Sequence, residues 1–89
     1  MYVYIFVHTR FMGPREEVRS MLESIKAIDG VYPLFDNSFL LGSEEHANTI
    51  AREIQTIYPN RRFLLSRISD QRQGWLPRRI WNFIREDED

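Results

Sequence analysis

A two-layer α+β sandwich of βαββαβ order is what this sequence predicts, on three observations. The chain opens on a β-rich run, Tyr2 to His8. Two later stretches carry apolar residues at helical spacing. Three further short β-rich runs, near residues 31–35, 38–41 and 62–68, lie between and after those stretches. At 89 residues the chain is one domain, and by surface scaling a chain of this size buries roughly 65% of its extended surface, enough for one core.

Tyr2 to His8 is dense in aromatic and β-branched side chains, which suit a pleated surface. Gly13-Pro14 breaks it and opens a helix over 14–28, with Glu16 and Glu17 near the positive end of its dipole. Val18, Met21, Leu22, Ile25 and Ile28 fall on one helical face. Two short apolar runs flank Asp36-Asn37, the spacing of a tight hairpin, and Pro33 marks the first of them as an edge strand. Gly42-Ser43 reads as a turn and an N-cap, with Glu44 and Glu45 in the first turn of a second helix over 44–58. Ala47, Ile50, Ala51, Ile54, Ile57 and Tyr58 form its apolar face, and Pro59-Asn60 stops it. Arg62 to Ile68 is a fourth strand. Helices that link strands in this order lie on one face of a four-stranded antiparallel sheet, an arrangement that is ferredoxin-like. Residues 1–85 are expected to form that single domain, with a C-terminal apolar arm or short helix at 74–85 and an acidic tail at 86–89.

Alternation along the first strand divides it into two faces. The compact set Val3, Ile5 and Val7 is expected under the two helices, which leaves Tyr2, Tyr4 and Phe6 on the open face. Trp75, Trp81 and Phe83 make the C-terminal arm too apolar to stay free. These two aromatic sets are expected to cover one another, in cis or across a homodimer.

The net charge of −1 conceals a strong segregation. Residues 1–60 carry five cations against eight acids; residues 61–85 carry seven arginines against Asp70 alone; the tail carries four acids. Eleven of the twelve cations are arginine, whose planar fork pairs with phosphate and stacks on flat π-systems. Arg61, Arg62, Arg72, Arg78 and Arg79, near Trp75 and Trp81, are the candidate anion-binding residues, because arginines interleaved with aromatics suit RNA or another single-stranded nucleic acid.

The chain has no cysteine, so disulfides, thiolate metal sites and cysteine nucleophiles are excluded. No Gly-rich phosphate loop or serine elbow occurs. His8 and His46 lack the spacing of a metal pair, so no metal or other cofactor is expected. His8, at the exit of the first strand, is the one candidate general acid or base, with Arg10 beside it. The opening apolar run is too short to span a bilayer, and the chain is expected to be cytoplasmic, without membrane contact.

The opening strand YVYIFVH, the hairpin VYPLFDNSFLLGS, the helix EEHANTIAREIQTIYP, the strand RRFLLSRIS and the closing GWLPRRIWNFI together resemble a group of small ferredoxin-like proteins. The group comprises the VapD-like toxins, the SinR-like family and the small nuclease-like subunit of CRISPR adaptation. The resemblance is one of pattern over most of the chain. It implies a homodimer made through sheet faces and C-terminal arms and, in some members, a ribonuclease with an acidic residue at the end of the first strand. Here His8 stands at that position, and no acid lies between Met1 and Pro14. The leading expectation is a non-catalytic homodimeric module that binds nucleic acid or a nucleic-acid-associated protein. The alternatives are a metal-independent ribonuclease using His8 with Arg10, and a small protein-binding regulator of a host or defence system.

Overall fold

The computed structural model describes residues 1–69 and 72–85. It is a mixed α+β domain: β1 (Tyr2–His8), a 3-10 turn (Arg10–Met12), α1 (Arg15–Ser24), β2 (Gly30–Phe35), β3 (Ser38–Ser43), α2 (Ala47–Ile57), β4 (Phe63–Arg67) and α3 (Arg78–Arg85). The strands form one antiparallel sheet in the order β2-β3-β1-β4. The Asp36-Asn37 turn joins β2 to β3, and Pro33 does lie on an edge strand.

Both helices are shorter than the apolar spacing predicts. At the end of α1 the Ser24 hydroxyl donates to the Met21 carbonyl 2.6 Å away, a local bond that competes with the helical ladder. Ile25 and Ile28 stay buried without helix, and Asp29 N–H then donates to Gly42 O, drawing the chain into β2. Ser43 does not cap α2. It lies at the end of β3, where its hydroxyl donates to Ala27 O and accepts from Glu45 N–H. With that oxygen engaged, α2 begins three residues later than expected, and Glu44 and Glu45 precede it rather than form its first turn.

The two faces of the sheet are the reverse of the sequence expectation. Tyr4 and Phe6 are buried against α1 and α2 in one core with Met12, Val18, Leu22, Phe39, Ile50 and Ile54, and Tyr2 packs beside them. Val3 and Leu40 face the opposite way and form a second core with Ile80 and Ile84 of α3. Alternation alone could not rank the faces, since both are apolar; volume did. The slender aliphatic side chains of α1 and α2 leave room for rings, whereas α3 brings bulky Trp81 and Phe83 and needs a thin floor. Gly30 and Gly42, paired across β2 and β3, supply it. A Cβ on Gly42 would lie 2.7 Å from Met1 Sδ and 3.5 Å from the Phe83 ring, and one on Gly30 would lie 3.7 Å from that ring. The C-terminal arm therefore covers the sheet in cis, and Tyr2, Tyr4 and Phe6 offer no open aromatic face to a second copy. No helix among the described residues is long and apolar enough to cross a membrane. The acidic tail 86–89 lies outside the described residues.

Candidate nucleic-acid interface

The exit of β1 and the start of β4 lie side by side. His8 pairs with Phe63, and Thr9 N–H continues the contact to Arg62 O. Beyond Thr9 the chain makes a 3-10 turn whose middle residue, Phe11, is 80% exposed while its neighbour Met12 is fully buried. Met12 is the anchor; Phe11 is turned outward as a consequence. Its ring has the Arg10 guanidinium carbon 5.4 Å from its centroid. Asn60 adopts a left-handed conformation, φ 64°, that reverses the chain after α2 and delivers Arg61 and Arg62 to the same place. Thr9, Phe11, Asn60, Arg61 and Arg62 thus line one cleft of about 370 Å³.

Arg61 is fixed in that cleft. Its guanidinium donates to the Met12 carbonyl and lies 4.3 Å from the centroid of Tyr58. Arg62 is exposed, and both arginines also line a second, more open groove along β4 and α2. The arrangement presents an aromatic face and three cations, Arg10, Arg61 and Arg62, to solvent at one end of the sheet. It can stack a planar group and neutralise an anion beside it.

The other residues singled out from the sequence fall elsewhere. Arg78 and Arg79 open α3, exposed at the positive end of its dipole, so helix stability does not account for them. Arg72 donates to Ser69 O in the segment before the arm. Trp81 and Phe83 pack on the sheet, whereas Trp75 stands 91% exposed. His8 is only 5% exposed, with its ring near-parallel to those of Phe6 and Phe39 at centroid distances of 5.7 and 6.0 Å. Its Nδ1 donates to Thr9 O, and its Nε2 is buried and without a protein partner. His8 and Arg10 do not share an open site: one is inside the core, the other on the surface. His46 stacks on Tyr2 at 5.4 Å. Among the described residues no three His, Cys, Asp or Glu side chains come together as a metal site.

Phe11 carries no sequence signal, because it belongs to no periodic segment. Only the proximity of the β1 exit to the β4 start turns it into a partner of Arg61 and Arg62. No protein-family model, no curated protein and no solved structure matches this chain.

Proposed function

We propose that this protein is a non-catalytic module that binds single-stranded nucleic acid at the Phe11 cleft. The carrying observation is one exposed ring, 80% accessible, held among Arg10, Arg61 and Arg62. A base stacked on Phe11 would set its phosphates against those guanidiniums, and every base has a π-face, so the recognition is of strand rather than of sequence. The burial of His8 favours binding over catalysis, since its free nitrogen faces core and not substrate. The strand order, with α1 and α2 on one face, supports reading the scaffold as ferredoxin-like, and the likeness to VapD-like and related small proteins stays an analogy of pattern.

The test is fluorescence anisotropy with a labelled single-stranded RNA at low salt. Phe11→Ala is expected to weaken binding about tenfold, within the range set by loss of one stacked base. Arg62→Ala is expected to weaken it and to flatten its salt dependence. Wild-type protein that binds neither single-stranded RNA nor single-stranded DNA at low salt would overturn the reading.

A further inference from the structure

The sheet face under α3 is covered over only part of its length. Phe83, Ile80 and Ile84 sit on the rows of Val3, Leu40 and the paired glycines. In the last row toward the β1 exit, Val7 pairs with Leu64 and with Ser38, and Ser38 with Phe35; Ser38 is buried, while Val7, Phe35 and Leu64 are exposed. Phe35 and Leu64 are each more than half exposed. Between this row and α3 a cavity of about 250 Å³ opens, with Ile5, Leu34 and Leu40 among its walls and Arg72, Trp75 and Trp81 on the side of the arm. Gln73, Gly74 and Leu76 also line that side, and with Arg72 the amides bring polar groups to a largely apolar space.

We infer that this cavity is a second subsite, which takes a base from the same strand that stacks on Phe11; the inference rests on the nucleic-acid reading of that cleft. Three observations favour a base. First, the walls are chemically suited: flat indoles to stack on, an arginine and a glutamine at the mouth, and a size fit for one planar heterocycle. Second, the two sites lie on one path. Ile5 in the cavity and Thr9 in the cleft belong to one extended run, four residues and about 13 Å apart. Val7 lies between them on the last row, beside Leu64. Third, among the described residues the one charged residue that lines the cavity is a cation, Arg72. From residue 61 to residue 85 the sequence holds seven arginines and one acid, and four acids follow at 86–89. A polyanion meets complementary charge at Arg72, which an uncharged apolar partner does not.

The experiment compares RNA oligomers of about 3 and about 10 nucleotides, spanning the lower range of single-strand site sizes, against wild type, Phe11→Ala and Trp75→Ala. Trp75 is exposed and its removal leaves the core intact. Binding of the longer strand is expected to fall roughly tenfold in Trp75→Ala, with the trimer little affected, and the longer strand is expected to quench indole fluorescence in wild type but much less in Trp75→Phe. If Phe11→Ala weakens binding while Trp75→Ala leaves both lengths unchanged, the subsite is overturned and the cleft reading stands. If Trp75→Ala instead converts a wild-type dimer to monomer without changing RNA affinity, a second copy occupies the cavity and the inference is likewise overturned. If wild type binds neither oligomer, both readings fall together.

Discussion

At the scale of single residues, His8 and Asn60 show how local physics limits what each can do. The His8 ring packs against the rings of Phe6 and Phe39, and the Thr9 carbonyl that it bonds also accepts the Met12 N–H. Replacing His8 by Leu removes a buried, unpartnered polar nitrogen and orphans nothing. Such a change is nearly neutral or stabilising when shape is kept. His8→Leu is therefore expected to shift stability by no more than about 1 kcal/mol and to leave RNA affinity intact, as measured by urea unfolding and anisotropy. A catalytic or ligand-binding His8 would instead lose function at full stability. At Asn60 the left-handed φ of 64° suits Asn or Gly. Asn60→Ala is expected to cost about 1 kcal/mol, and Asn60→Gly much less; an Ala variant as stable as wild type would show that the turn relaxes without penalty. Asn60 is legible from sequence as a stop signal after Pro59, but its conformation, and hence where it sends Arg61 and Arg62, is not.

Among the elements, α3 has the most consequence for its length. Eight residues close the second core. Ile80 and Ile84 are both nearly buried, so Ile84→Ala is expected to destabilise the domain by about 2–4 kcal/mol, the usual range for Ile→Ala at a buried site. Gly42→Val is expected to be comparably harmful because the new side chain would collide with Met1 and crowd Phe83. Urea midpoints within error of wild type for both variants would mean that α3 is not docked as described. The arm's apolar content is enough to show from sequence that it must pack on something. Which face it packs on depended on glycines that look, in the linear chain, like ordinary turn signals.

For the whole molecule, the charge separation and the cis docking of α3 govern association. With the sheet face covered from within, the free chain is expected to run as a monomer near 10.8 kDa in light scattering. A stable dimer at low micromolar concentration would point to the exposed side chains of Val7 and Leu64. RNA binding is expected to weaken with salt, with a slope near −2 on a log–log plot for a strand held by Arg10, Arg61 and Arg62, at about −0.7 per phosphate. Longer strands that reach Arg72, Arg78 and Arg79 are expected to show a steeper slope. A salt-independent affinity would exclude phosphate recognition as its basis.

The linear sequence by itself determined the element order, the hairpin at Asp36-Asn37, the edge position of Pro33 and the arginine-rich character of residues 61–85. Each of these follows from short-range rules: periodicity, turn chemistry and the composition of a contiguous segment. Tertiary structure decided which face of β1 meets α1 and α2, because both faces are apolar and only the relative volumes of Tyr4, Phe6, Phe83, Gly30 and Gly42 distinguish them. It also decided that His8 is enclosed and Phe11 exposed, although they are three residues apart. Met12, buried in the core, anchors the 3-10 turn and rotates its neighbour outward. The cleft joins Phe11 to Arg61 and Arg62 across some fifty residues of chain, and only the antiparallel pairing of β1 with β4 closes that distance.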